Sequence, residues 1–307
     1  MSHFQDRLAP SGLGLGALFV SASAVILGLA GTTPATATLA RSVFALPVLA
    51  VLAARERRRS GGMTTDRTAW SVVCGVLFCG DMLLWTQSIS EVGAGLSTVL
   101  VNAQVAIVPL LAWLFDRERV PQRFLWALPV VLTGVVLAGG VLEHGIGGSD
   151  PVRGTLHAIG AAVCYSGFLF LLRRGGRRGQ PVQTYTVVLV TSAVLSILVG
   201  PFWHGIELAP DAETTGWLIV VTVTGQLLGW LLVAYFSPRL PSDLSSALLL
   251  LTPIGAIVLS AVVLDERPSP AQLLGCTLIL LAGYLGTSRV GGSPRRSARF
   301  CTQGRQG

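Results

Sequence analysis

The 307-residue sequence is 51% hydrophobic and only 12% charged, about half the charged share of a soluble domain. Its net charge of +7 comes entirely from arginine, with no lysine in the chain, and most of these arginines sit in short gaps between apolar stretches. Such placement suits anionic lipid headgroups and argues against nucleic acid, which calls for a basic stripe on a folded face; a soluble domain is excluded and an integral membrane protein indicated.

After a tail of residues 1–11, ten apolar stretches follow: 12–30, 35–54, 68–90, 92–115, 122–142, 154–172, 183–201, 215–236, 241–264 and 271–288. Each is near the ~20 residues that cross a ~30 Å hydrocarbon layer as a helix. The first precedes a small-residue segment (Thr33-Pro34-Ala35-Thr36-Ala37) but is too long for the apolar core of a typical signal peptide, so it reads as a span. Of the 22 arginines, 19 fall in alternate gaps: Arg7; Arg55, Arg57, Arg58, Arg59 and Arg67; Arg117, Arg119 and Arg123; Arg173, Arg174, Arg177 and Arg178; Arg239; and Arg289, Arg295, Arg296, Arg299 and Arg305. The opposite gaps hold only Arg153 and Arg267. The positive-inside bias thus predicts both termini in the cytoplasm.

Taken in order, the second span carries Arg41 and the third Asp81, the two ionisable residues deep in the apolar stretches. Arg41 lies 14 residues from Arg55 and Asp81 lies 14 from Arg67, which places both about 21 Å from the cytoplasmic side at ~1.5 Å per residue. A charge at that depth costs at least ~2.5 to 3.5 kcal/mol, so it normally faces the bundle interior. Two readings stand: a polarised site in which the guanidinium grips a carboxylate and the aspartate holds an ammonium group or a proton, or a structural ion pair between two helices. A pair intact in every state would make Asp81 a poor proton carrier, so proton coupling would require the two to separate.

Trp85 and Ser88 follow Asp81 on one helical face. Trp85 is either an aromatic wall beside the charge or an interfacial anchor, and Trp70, Trp113, Trp126, Trp203 and Trp217, near predicted span ends, read as anchors. The fourth span presents Thr98, Asn102 and Gln104; Asn102 shares a face with Thr98 and Pro109, and is preferred over Gln104 as the cavity-facing amide. Pro109, and Pro253 in the ninth span, are expected bending points. The second half offers Tyr165, Gln226, Trp230 and Thr252 at depth but no charge. For these polar positions, interhelical hydrogen bonding is the competing role. Gly12/Gly16 and Gly225/Gly229 form GxxxG patterns suited to close helix approach. His144, His157 and His204 fall at or beyond the outer ends and read as surface residues. Glu118 and Glu266, ending spans beside arginine, read as structural. The five cysteines form neither a disulfide framework nor a metal set, so no cofactor is expected.

An offset of 148 residues lays Leu96-Ser97-Thr98 over Leu244-Ser245-Ser246, Leu100 over Leu248, Leu111 over Leu259 and Glu118-Arg119 over Glu266-Arg267. Gly16-Ala17 pairs more weakly with Gly160-Ala161. The expected architecture is all-α: ten transmembrane helices as two inverted five-helix repeats, N-in/C-in. Residues 12–142 form the first repeat, 143–153 an external linker, 154–288 the second, and 289–307 a basic, disordered cytoplasmic tail. Odd-numbered inverted repeats are a transporter architecture.

The arginine in Ala37-Thr38-Leu39-Ala40-Arg41, the segment Ile89-Ser90-Glu91-Val92-Gly93-Ala94-Gly95-Leu96-Ser97-Thr98 running into Glu118-Arg119, and Leu264-Asp265-Glu266-Arg267-Pro268 in the second half resemble the EamA-like branch of the drug/metabolite transporter superfamily over about residues 12–288. Arg117 departs from the glycine common before the glutamate. The resemblance implies a secondary transporter of the cell membrane, usually moving small metabolites outward. The expected function is export of small polar metabolites such as amino acids by alternating access. Substrate-binding candidates are Arg41, Asp81, Trp85, Asn102, Tyr165, Gln226, Trp230 and Thr252. The alternatives are a drug or organic-compound exporter using proton antiport and, in another class, an intramembrane enzyme. Against an enzyme, the sequence has no GxSxG, no HExxH, no acid pair within the spans and no histidine at depth. Expected partners are the substrate, protons under the antiport reading and membrane lipids, with no nucleic acid; the chain is a monomer or homodimer.

Overall fold

A computed structural model describes residues 2–117, 122–140, 149–176, 180–236, 240 and 242–287. Glu118, Arg119, His144, Arg177, Arg178, Arg239 and the expected tail from 289, with Cys301, lie outside these residues. The described chain is helical throughout. The helices are α1 (Ser2–Ala30), α2 (Pro34–Ser60), α3 (Thr65–Val92), α4 (Ala94–Val101), α5 (Gln104–Asp116), α6 (Gln122–Ala138), α7 (Pro151–Gly176), α8 (Pro181–Val199), α9 (Ala212–Val221), α10 (Trp230–Phe236), α11 (Ser242–Leu249), α12 (Leu251–Val263) and α13 (Pro270–Thr287); a π-helical segment, Thr222–Gly229, joins α9 to α10. Among the described residues, seven helical stretches are long and apolar enough to cross a membrane. Residues corresponding to the fifth, ninth and tenth expected spans form shorter apolar helices, Leu125–Ala138, Ala247–Val263 and Pro270–Tyr284.

Large apolar side chains such as Val51, Trp126, Leu132, Leu198 and Val262 are exposed around the outside, as a lipid-facing surface requires. The interior is built from small residues and close crossings. α3 lies along α7 and α8, α2 along α8, α6 along α13, and α1 among α12, α9, the π-segment and α10. The two GxxxG patterns meet: a Cβ on Gly16 would fall 3.2 Å from the Gly229 carbonyl, and one on Gly12 would run into the Phe236 ring. At the α6–α13 crossing, a Cβ on Gly134 would sit 2.8 Å from Ile279 Cγ1 and 2.9 Å from the Gly275 carbonyl. Because backbone gives way poorly, Gly134→Ala is expected to cost about 1–3 kcal/mol. The measurement is thermal unfolding in detergent, where the midpoint falls by several degrees.

The expected fourth span is two helices. α4 ends at Val101 and α5 begins at Gln104, with i→i−3 bonds from Asn102, Ala103, Val105 and Ala106 across the junction. The ninth span breaks likewise at Leu250, between α11 and α12. Pro109 lies inside α5, away from its break, whereas Pro253, in the first turn of α12, withholds the amide that the Leu249 carbonyl would accept at i−4 and so accounts for the break at Leu250. Asn102 and Leu250 are 148 positions apart, the offset of the internal repeat. Arg117 and Asp265, also 148 apart, are both left-handed at φ 52° just after α5 and α12. The turn at Arg117 therefore keeps a conformation that suits glycine despite its side chain.

Carboxylates secure both ends of the bundle. At one, Glu56 accepts from the Val182 and Gln183 amides (3.3 and 2.8 Å) at the start of α8, while Arg67 Nη1 donates to Gln180 Oε1 at 2.6 Å. At the other, Glu266 accepts from Ala94 and Gly95 at the start of α4. Its partner is thus helix backbone rather than a neighbouring arginine; Arg267 pairs with Asp265.

Candidate functional site

Arg41 points from α2 into the bundle and is 5% exposed. Its Nη2 donates to Gln226 Oε1 at 2.9 Å, its Nη1 contacts Met82 Sδ at 3.3 Å, and its Cζ stands 5.7 Å from the centre of the Trp85 ring. Gln226 Nε2 in turn donates to the Tyr185 hydroxyl at 2.7 Å. A continuous polar chain therefore runs Arg41–Gln226–Tyr185 through α2, the π-segment and α8, with Trp85 of α3 against the guanidinium. The cation over an aromatic face contributes about 0.5–2 kcal/mol. Arg41 Nε is buried without a hydrogen-bond partner, so the guanidinium keeps donor capacity unused.

Asp81 is 2% exposed on the same α3 face as Trp85. It stands at the crossing with α7, where a Cβ on the neighbouring Gly80 would lie 3.1 Å from Cys164 Sγ. Among the described residues, no ion pair joins Asp81 to Arg41, and no hydrogen bond reaches its carboxyl. The structural ion pair offered by the sequence is absent from this conformation. Arg41 is held by neutral groups instead.

Tyr165 and Trp230 complete a wall beside this layer, their ring centres 6.3 Å apart and steeply inclined at 65°; Tyr165 also stacks on Phe168 at 6.2 Å. Trp85 is 9% exposed, so it is a buried wall residue rather than an interfacial anchor. Two candidates turn elsewhere. Asn102 Nδ2 donates to its own helix at Thr98 O, 2.8 Å, capping the broken end of α4. It is Gln104 Oε1 that is buried without a partner. Thr252 packs against α1: its hydroxyl reaches Ala17 O at 3.4 Å, and its carbonyl accepts from Ser21 Oγ at 2.8 Å.

The helical breaks lie near this same layer. Ser97 Oγ bonds Ser88 Oγ and reaches the Trp85 carbonyl at 3.5 Å. α4 runs back along α3, so Asn102, about 7.5 Å deeper at ~1.5 Å per residue, comes level with Asp81. The π-segment holds Gln226 itself and packs through Gly225 on Ser23 of α1. Two residues away on α1, Ser21 Oγ reaches Leu251 O and Thr252 O at the second break. Three of the expected spans lose regular i→i−4 bonding around one level, and π-bulges and interrupted helices frequently accompany function.

Tyr185 is not among the sequence candidates; one tyrosine in an apolar run carries no signal until Gln226 is seen against it. Gln226→Leu would strand both Arg41 Nη2 and the Tyr185 hydroxyl, at about 1–3 kcal/mol for each buried unpaired group. The expected result is a clear fall in thermal midpoint together with weakened cargo binding. His157, expected at the surface, instead lies 2.6 Å by its Nδ1 from Glu91 Oε2, against the edge of Trp203. Glu91 is 8% exposed and also accepts from Gln87 Nε2 at 2.8 Å. Trp203 Nε1 is buried without a partner, and Trp217 packs on the cluster around Trp85, so neither is a simple anchor.

Two segments, residues 11–140 and 152–287, match the EamA-like transporter family. The chain is 28% identical over 284 residues to the uncharacterized transporter sll0355 of Synechocystis sp., covering 85% of this chain and 83% of that one. It is 26% identical over 297 residues to the uncharacterized transporter YwfM of Bacillus subtilis, covering 91% and 94%. A solved crystal structure aligns at a TM-score of 0.57 and 19% identity over 90% of this chain and 95% of the other, a likeness of fold.

Proposed function

The chain belongs to the EamA-like transporter family, and from that premise we propose that this multi-pass membrane protein is a secondary transporter exporting small polar metabolites such as amino acids or related compounds. Alternating access operates around the layer of Arg41 and Asp81. The observation that carries this reading is a buried guanidinium held by neutral groups and a buried carboxyl that forms no ion pair among the described residues, beside an aromatic wall, where three spans lose regular helical bonding. Arg41, with a donor to spare, takes the cargo carboxylate; Asp81 faces its ammonium group. Trp85, Tyr165 and Trp230 supply the apolar surface and Gln226 orients the guanidinium.

The orientation proposed is N-in/C-in, on the arginine distribution. Two inverted five-helix repeats are supported by the equal spacing of the breaks at Asn102 and Leu250 and of the left-handed residues Arg117 and Asp265. Inverted copies of one pattern can exchange conformations, giving inward- and outward-open states of similar energy. A second reading, proton antiport, draws on Asp81, which forms no ion pair among the described residues and so is available to bind a proton in exchange for cargo.

The test is reconstitution into vesicles and a counterflow screen of amino acids, their amine and acid analogues, and organic cations, with mass analysis of what leaves. Saturable counterflow of an unaltered amphoteric metabolite is expected. Chemical conversion of the solute would favour the enzyme reading, and counterflow confined to organic cations would favour the drug exporter.

A further inference from the structure

The corner joining α3 to α4, residues 90–95, is gripped from two sides by residues distant in sequence. Glu266 Oε1 accepts from the Ala94 amide at 2.6 Å and Oε2 from Gly95 at 3.1 Å. His157 holds the Glu91 carboxylate, the Asp150 amide donates to the Glu91 carbonyl at 3.4 Å, and Ser149 Oγ donates to the Ser90 carbonyl at 3.3 Å. Contact is close enough that a Cβ on Gly93 would lie 2.8 Å from Glu266 Cδ, and one on Gly95 2.5 Å from Ser260 Oγ and 3.0 Å from Ile257 Cα.

Directly beneath the corner, Ser97 is fully buried against Ser88, and below it lie Trp85 and the guanidinium of Arg41. At its far end α4 passes into α5 through a tighter turn at Asn102 and Ala103, held by i→i−3 bonds alone. A short helix tied at one end by a carboxylate and jointed at the other has the parts of a hinged gate. The negative carboxylate is favoured by the positive end of the α4 dipole as well as by the two amide bonds.

We propose that α4 is the outer gate of the transport path, closed by the Glu266 carboxylate on its N-terminal amides and by His157 on Glu91, and that it opens by swinging about Asn102–Ala103. This rests on the carrier reading for its purpose, but its geometry is tested without any cargo.

The experiment places a reporter thiol beneath the gate, Ser97→Cys, and follows its labelling by a membrane-impermeant thiol reagent added outside right-side-out vesicles. The same chain without the reporter is labelled in parallel to subtract the native cysteines. Adding Glu266→Ala is expected to raise the reporter-dependent labelling rate about a hundredfold or more, the shift that follows from losing two charge-assisted bonds. Gly95→Ala, which wedges α4 away from Ser260 and Ile257 while keeping the carboxylate, is expected to act in the same direction and decides the matter if the Glu266 variant does not fold. Unchanged labelling in the folded variants overturns the gate. Because transport is not the readout, loss of the cargo assignment would leave this result standing.

Discussion

Arg41→Ala is expected to lower transport of a carboxylate-bearing cargo at subsaturating concentration about tenfold to a hundredfold, the equivalent of one charge-assisted hydrogen bond of about 1.5–3 kcal/mol. The physical reason is that no other cation is found in this layer among the described residues. Arg41→Lys is not a conservative replacement here. The guanidinium contacts Gln226 and Met82 and lies over Trp85 at once, which a single ammonium at the end of a flexible stem does not reproduce. The lysine variant should therefore recover only a small part of the lost rate. Initial rates of counterflow, with protein amounts matched after solubilisation, provide the check; activity restored by lysine to near the parental level would mean that charge alone suffices.

The second large effect is expected at Asp81. Asp81→Asn keeps the shape and removes the charge, so a role as packing predicts little change. A role in holding an ammonium group or exchanging a proton predicts a loss of about tenfold or more, the scale of a charged hydrogen-bond partner. The two roles separate in the dependence on a proton gradient. If Asp81 binds the cargo amine, Asp81→Asn weakens affinity and leaves any gradient-driven accumulation in proportion. If it exchanges protons, Asp81→Asn abolishes accumulation while counterflow persists. Transport with and without an imposed pH gradient reads both.

The helical, membrane-spanning character was legible because it depends on composition and segment length, which act along the chain. So was the burial of Arg41 and Asp81, because a charge deep in an apolar span is driven to the bundle interior. Their relation was not. Whether residues on two spans meet depends on helix rotation, and only packing shows that Arg41 bonds Gln226 of a distant span instead of Asp81. The prolines are an uneven guide: Pro253 withholds the donor to the Leu249 carbonyl beside the break at Leu250, yet Pro109 lies well inside α5 and the other break is at Asn102. The 148-residue offset anticipates this pairing of breaks better than residue type does. His157 escapes for a different reason. A histidine near a span end looks solvated in one dimension, whereas Glu91, sixty-six positions earlier, covers it in three. Glu266 likewise has no visible partner in the sequence, because its partners are backbone amides, which nearly every residue carries.

Recognition of the cargo carboxylate by Arg41 is open to measurement by equilibrium binding in detergent. An amino acid identified by counterflow, and the amine formed by removing its carboxylate, are titrated into the parental protein and Arg41→Ala. The parental protein is expected to prefer the amino acid by about tenfold or more and Arg41→Ala to bind the two nearly alike, the preference vanishing because its cause has been removed. If a folded Arg41→Ala protein keeps the full preference, the carboxylate is read elsewhere and the assignment fails.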